Sequence, residues 1–127
     1  MTSQVLGIIS NTINSVVPYE FGRWSGNVPD TYCVGEYMTT PIATEDWAVE
    51  STMILTITTR GAFQELLHVQ RRISHAFDPL TGLRASTYYG SVAIFYENAF
   101  PVETGEADLK RMQINLRIKQ WKTFGGK

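Results

Sequence analysis

The sequence predicts an α+β domain: a mostly antiparallel, twisted sheet with two main helices packed on one of its faces. Apolar residues recur with a helical period in residues 3–17 and 62–77, so each helix would bury one stripe. They alternate with polar residues in residues 47–58, 84–97 and 109–121, which is the period of a strand with one buried face. Helix, strands, helix and strands in this order indicate an α+β architecture.

The first helix, predicted over residues 3–17, has an unusual polar side. Pro18 ends its pattern, and the first charged side chain of the chain is Glu20. Surface helices usually carry charged residues, and Gly7 in mid-helix costs about 1 kcal/mol relative to alanine. Either a closely packed partner or an ordinary solvated face fits this helix.

A hairpin is predicted over residues 19–39, because two β-rich runs flank the turn-forming segment "SGNVPD". The length and the 43% hydrophobic composition suit one core, so residues 1–127 are expected to form a single domain. Residues 122–127 are expected to form a flexible tail.

The last strand is long for so small a chain. At about 3.3 Å per residue, residues 110–120 span roughly 36 Å. A globule of this size has a diameter of roughly 36 Å as well. We therefore expect part of the strand to run past its own core and contact another molecule.

The charges are divided between two parts of the chain. Residues 109–127 hold six of the 11 basic residues and none of the 12 acidic ones, so a basic arm follows an acidic body. The arm could bind nucleic acid, fold onto its own body or contact the acidic body of a neighbour. Nucleic acid is the less favoured partner, because the body would repel phosphates and only Trp121 and Phe124 near the arm offer rings for stacking.

Residues suited to catalysis or metal binding are few. His68 and His75 are the only histidines, and two helical turns separate them by about 10.5 Å, too far to share one metal ion. Cys33 is the only cysteine, and no glycine-rich phosphate loop occurs. We expect no catalytic residue, cofactor or metal, and no membrane contact, since no apolar run is long enough to span a bilayer.

The passage "AFQELLHVQRRISHAFDPLTGLRASTYYGSVAIFYENAF", followed by the final alternating strand, resembles the tail-terminator or tail-completion proteins of long-tailed bacteriophages. The resemblance covers most of the chain and rests on the order of its elements. It implies a virion structural protein without catalytic residues, forming a ring, expected to be a hexamer, that caps the tail tube and joins tail to head. It also implies a tail tube protein and a head-completion protein as partners, DNA passing through the lumen without sequence-specific contacts, and a place in the virion tail or neck after assembly in the host cytoplasm.

The division of charge predicts which residues join neighbouring subunits. Basic residues on the polar side of the last strand would meet clustered acids of the next subunit. The predicted interface consists of Arg111, Arg117 and Lys119 on one subunit and Glu45, Asp46 and Glu50 on the other. Loops at residues 40–47 and 98–107 are candidates for contacts with tube or head proteins, because long loops often carry contacts.

The alternative is a small-molecule-binding protein or a lyase- or isomerase-type enzyme of cone-shaped α+β fold, similar to the nuclear-transport-factor-like family. Length, opening helix and aromatic strands are compatible with it. Against it, the predicted apolar strand faces contain no acid. A deep polar pocket holding His75, Asp78 or Tyr96 with a shifted pKa would support it.

Overall fold

The computed structural model of the chain describes residues 3–43, 48–88 and 90–122. Its elements, in chain order, are α1 (Ser3–Asn14), β1 (Tyr19–Phe21), β2 (Thr31–Ala43), β3 (Ala48–Thr59), α2 (Phe63–Ala76), β4 (Leu83–Thr87), β5 (Gly90–Val102) and β6 (Lys110–Lys122). These strands form one sheet in the order β1-β2-β3-β6-β5-β4. Neighbouring strands are antiparallel except β1 and β2. The predicted α+β class is confirmed, with a mixed sheet that is mostly antiparallel.

Both helices pack on the same face of the sheet and bury their apolar stripes there. One cluster contains Val5, Ile9 and Ile13 of α1, Leu66, Val69 and Ile73 of α2, and Met112, Ile114, Leu116 and Ile118 of β6. In the adjacent β3, the alternate residues Met53, Leu55 and Ile57 are fully buried as well. Burying one such side chain contributes about 1.5–3 kcal/mol, so this face supplies most of the hydrophobic stabilisation.

The hairpin predicted over residues 19–39 is wrong, because β1 runs parallel to β2. Tyr19 lies opposite Cys33, and the Cys33 amide donates a hydrogen bond to the Pro18 carbonyl at 2.8 Å. After β1 the chain turns at Gly22, whose φ of 87° favours glycine. The loop then carries the chain back to the end where β1 began, and β2 pairs antiparallel with β3 instead.

The single strand predicted over residues 84–97 is two strands. β4 ends at Thr87 and β5 begins at Gly90, and the two pair antiparallel. Threonine and tyrosine in the intervening "TYYG" favour strands, so the alternating pattern shows no break at the turn. β5 continues to Val102, and the first part of the loop predicted at residues 98–107 is therefore strand.

β6 is an internal strand. β3 pairs with it from Lys110 to Trp121, and β5 pairs with it from Arg111 to Lys122. The expectation that part of this strand runs past its own core is therefore wrong for residues 110–122. The physical reason is that its neighbours are as long as it is: β3 has 12 residues and β5 has 13.

The close approach of β1 to the sheet depends on Gly35. A Cβ at this position would meet the Tyr19 hydroxyl and would lie 2.7 Å from Met53 Cε. We predict that Gly35→Ala lowers the free energy of unfolding by about 1–3 kcal/mol through overpacking. Urea unfolding followed by circular dichroism measures the change.

Gly7→Ala is the matched control, because a Cβ there has no atom within 4 Å. We expect it to raise the free energy of unfolding by up to about 1 kcal/mol, since alanine favours a helix. Equal effects of the two substitutions would contradict the packing of Tyr19 over Gly35.

Candidate functional site

The face of the sheet opposite the helices, named the open face, carries most of the residues predicted to act. On β6 it consists of Arg111, Gln113, Asn115, Arg117 and Lys119, which alternate with the buried residues. On β3 it includes Glu50, Thr52, Ile54 and Thr56, all half-buried. Because side chains of a strand alternate between faces, the same strands that form the core present this polar surface.

Arg117 is held on the open face by two neighbours within its own chain. Its guanidinium lies 3.8 Å from a carboxylate oxygen of Glu50 and 4.6 Å from the centre of the Phe95 ring. A partly exposed ion pair contributes about 0–1 kcal/mol, and an exposed cation–π contact about 0.5–1 kcal/mol. The two contacts orient Arg117 more than they stabilise the fold.

The other two predicted basic residues also lie on the open face. The Arg111 Nε donates a hydrogen bond to the Thr58 hydroxyl at 3.2 Å, and the Lys119 Nζ lies 5.2 Å from the centre of the Trp121 ring. These two cations are eight positions apart along β6, roughly 26 Å. The three cations therefore form a row along the strand.

Of the six predicted interface residues, the structure brings together Arg117 and Glu50, within one chain. Glu45 and Asp46 lie outside the described residues. A register between strands more than 60 residues apart in sequence creates this contact, because Thr52 lies opposite Arg117. The pattern of each strand alone does not contain that register.

Amide side chains fill the middle of the open face. The Gln113 Nε2 donates to Asn115 Oδ1 at 3.2 Å, and the Asn115 Nδ2 donates to Asn98 Oδ1 at 2.8 Å. The pattern of the sequence does not mark Asn98 or Phe95 as a partner of the predicted interface residues. Phe95 lies opposite Arg117 in the β5–β6 register, and that register was the missing information.

A cleft of about 370 Å³ lies at the end of the sheet where β5 meets β6. It is lined by Phe63, Pro101, Val102, Glu103, Thr104, Gly105, Glu106, Ala107, Leu109, Lys110 and Arg111. It coincides with the second half of the loop predicted at residues 98–107. None of His75, Asp78 and Tyr96 lines it, so it does not supply the polar pocket that an enzyme of the alternative class needs.

Cys33 and Tyr19 are titratable residues that are buried in the core. Burial raises the pKa of the Cys33 thiol well above its usual range, and burial, with a smaller effect of Cys33, raises the pKa of the Tyr19 hydroxyl. A thiol whose pKa is raised is a poor nucleophile at neutral pH. Cys33 is therefore not suited to nucleophilic catalysis.

The remaining candidates for chemistry are dispersed. His68 and His75 are both exposed on α2, and the Tyr96 hydroxyl accepts a hydrogen bond from Gln70 Nε2 at 2.8 Å. Among the described residues, no cluster of His, Cys, Asp and Glu could hold a metal ion. Neither described helix has the length and apolar character needed to cross a bilayer.

Asp78 owes its shifted pKa to a turn. Its Oδ1 accepts hydrogen bonds from the amides of Thr81 (3.0 Å) and Leu80 (2.8 Å), and these bonds lower the pKa of the carboxyl below its ordinary value of 3.8. The ionised carboxylate thus caps the start of the loop between α2 and β4. This is a structural role.

We predict that Asp78→Asn removes a stabilising contribution that depends on pH. Because the folded-state pKa is lowered, the contribution is fully present above the unfolded value of about 3.9 and is lost as pH falls through the folded value. The difference in Tm between wild type and variant should thus shrink from pH 6 towards about pH 2. Asp30→Asn, at an exposed aspartate, is the control, and a Tm difference for Asp78→Asn that does not change with pH would contradict the capping role.

The comparisons with known proteins show a similarity of fold and no similarity of sequence family. No protein-family model matches the sequence, and no curated protein matches it. The structure is similar to a chain of a solved structure described as "Virion of native gene transfer agent (GTA) particle", with a TM-score of 0.64 and 13% identity, covering 89% of this chain and 84% of that chain. At this identity the similarity shows that the two chains share a fold.

Proposed function

We propose that this chain is a structural protein of a phage-like virion, without catalytic activity. The observation that carries the proposal is the similarity of nearly the whole fold, 89% of this chain, to a chain of a gene transfer agent virion. The dispersed histidines and the buried Cys33 fit a role in assembly. The order of elements in the sequence, on which the resemblance to tail-completion proteins rests, points to the same class.

We further propose that the protein acts as a tail terminator or tail-completion protein. Copies would form a ring, a hexamer, that caps the tail tube and joins tail to head, with the tail tube protein and a head-completion protein as partners. DNA would pass through the lumen without sequence-specific binding. Assembly would take place in the host cytoplasm, and the finished ring would lie in the virion tail or neck.

The subunit has two surfaces that suit contacts with neighbouring copies of the chain. The open face carries a row of cations and amides, and on the other side of the molecule α1 presents Asn11 and Asn14, exposed and uncharged. Two different surfaces on one subunit suit head-to-tail association, which closes into a ring when the rotation between copies permits.

The proposed charge contacts run from the open face to a neighbour's acids. Arg111, Arg117 and Lys119 would meet Glu45 and Asp46 of the next subunit. Glu50 belongs to the same proposed interface and already contacts Arg117 within one chain. It would therefore orient that cation as well as add its own charge.

Light scattering and negative-stain electron microscopy test the ring. We expect particles of about six times the subunit mass of 14.3 kDa, with a central opening. A monomer at every concentration, with no ring in the images, would contradict ring formation.

The double substitution Arg117→Glu and Lys119→Glu tests the charge contacts. We expect a folded subunit whose association weakens about tenfold or more, because each lost ion pair is worth up to about 1 kcal/mol and repulsion adds to the loss. Sedimentation equilibrium measures association, and circular dichroism checks folding. Arg23→Glu with Arg71→Glu, two exposed arginines, makes the same change in net charge as a control, and equal association of both variants would contradict the proposed contacts.

A further inference from the structure

The cleft is formed by the loop that connects β5 to β6, and hydrogen bonds within this loop fix its conformation. The Thr104 hydroxyl donates a hydrogen bond to the Leu109 carbonyl at 2.7 Å and accepts one from the Glu106 amide at 3.1 Å. The Lys110 Nζ donates to the Ala107 carbonyl at 2.7 Å. These bonds hold the connecting loop in one shape beside the end of the sheet.

The cleft combines an apolar floor with acidic groups at its rim. Phe63 of α2, 36% exposed, lies in it with the half-buried Val102 and Leu109. At the rim, Glu103 and Glu106 are exposed. An apolar floor with a charged rim is the usual composition of a surface that takes up an anchoring side chain.

The carboxylates at the rim are available for a partner, while each of the two cations in the lining, Lys110 and Arg111, donates a hydrogen bond to a neutral acceptor. Lys110 donates to the Ala107 carbonyl, and Arg111 donates to Thr58 on the open face. In the described part of the chain, no hydrogen bond or ion pair joins the carboxylates of Glu103 and Glu106 to another residue. The lining carries two carboxylates and two cations, so a segment with an apolar anchor and lysines suits the cleft where its lysines meet the individual carboxylates of Glu103 and Glu106.

One segment of this sequence has that composition. Residues 122–127 read "KTFGGK", with one aromatic residue between two lysines and two glycines that allow the backbone to bend. A cleft of about 370 Å³ is large enough to admit an aromatic side chain. The composition of this tail, an aromatic residue between two lysines, matches an apolar floor with two carboxylates at its rim.

The tail cannot reach the cleft of its own subunit. Lys110 lines the cleft at the start of β6, and Lys122 ends the strand, roughly 40 Å away at 3.3 Å per residue. Phe124 follows Lys122 by two residues, which add at most about 7 Å. Only a second copy of the chain can therefore bring Phe124 into the cleft.

We propose that the cleft receives residues 122–127 of a neighbouring subunit, with Phe124 against the apolar floor and the two lysines beside Glu103 and Glu106. The contact is head-to-tail, because the donating and receiving surfaces lie at opposite ends of β6. It rests on the self-association in the proposed function and adds a specific segment and its receiving site. It shares Arg111 with the interface on the open face and otherwise uses different residues.

Disulfide trapping between two variants, each with one added cysteine, tests this contact. One full-length variant carries Thr123→Cys beside the anchor, and the other carries Ala107→Cys in the cleft. The native Cys33 is fully buried and stays unreactive while the protein is folded. The control pair combines Thr123→Cys with Leu80→Cys, at a side chain that is 87% exposed and remote from the cleft in the fold.

We expect the tail–cleft pair to form intermolecular disulfide about fivefold faster or more than the control pair, a ratio that corresponds to about 1 kcal/mol of local binding. Adding Phe124→Ala to the tail variant should remove the selectivity, and so should Glu103→Lys with Glu106→Lys in the cleft variant. Glu36→Lys with Glu97→Lys, at two exposed carboxylates, makes the same charge change and should retain it.

Disulfide trapping and ring formation are measured separately, so the tail contact and the ring can each be contradicted without the other. Rings without selective trapping would overturn the tail contact and leave the ring in place. Selective trapping without particles of ring mass would support the tail contact and contradict the ring. In a chain carrying both cysteines, a disulfide formed within one molecule would overturn the argument from reach and assign the tail to its own subunit.

Discussion

The pairing of β6 on both of its edges is the constraint on which the rest of the structure depends. β3 and β5 occupy the two sides of this strand from Lys110 to Lys122. With its backbone engaged, the strand has only its two side-chain faces left. Met112, Ile114, Leu116 and Ile118 face the helices, so the cations that alternate with them must face the open side.

This arrangement limits how the subunit can associate. Another chain cannot pair with the backbone of β6, because β3 and β5 already pair with its two edges between Arg111 and Trp121. Contacts can instead use side chains of the open face, the uncharged side of α1, the cleft, the tail beyond the strand, or the outer strands β1 and β4 of the sheet. The two lysines of the tail begin at one end of β6, and the carboxylates of Glu103 and Glu106 lie near its other end, so copies aligned head-to-tail would bring these opposite charges together.

Local patterns in the sequence predict much of the fold and less of the site. The helical stripes of α1 and α2 and the alternation in β3 and β6 arise within each segment, so both helices, both strands and the shared helix face follow from the sequence. The parallel β1–β2 pair depends on the fit of Tyr19 over Gly35, a contact between segments. The Arg117–Glu50 pair likewise depends on a register that no single segment specifies.

The basic residues of the proposed interface were likewise only partly predictable from the sequence. Their alternation correctly places Arg111, Arg117 and Lys119 on one face of β6. The length of the strand suggests an arm that leaves the core, whereas the equal lengths of β3 and β5 make it the interior of the sheet. The cleft depends on loop hydrogen bonds such as that from Thr104 to Leu109, which composition alone does not reveal.

Hydrogen exchange of the isolated subunit, read by mass spectrometry, tests most directly whether β6 is an internal strand. Amides in paired central strands exchange near the limit set by global unfolding, whereas unpaired segments exchange freely. We expect strong protection from Arg111 to Trp121 without a break. Exchange in residues 117–122 as fast as in an unpaired segment would contradict the central claim and would indicate that this part of the strand projects from the core.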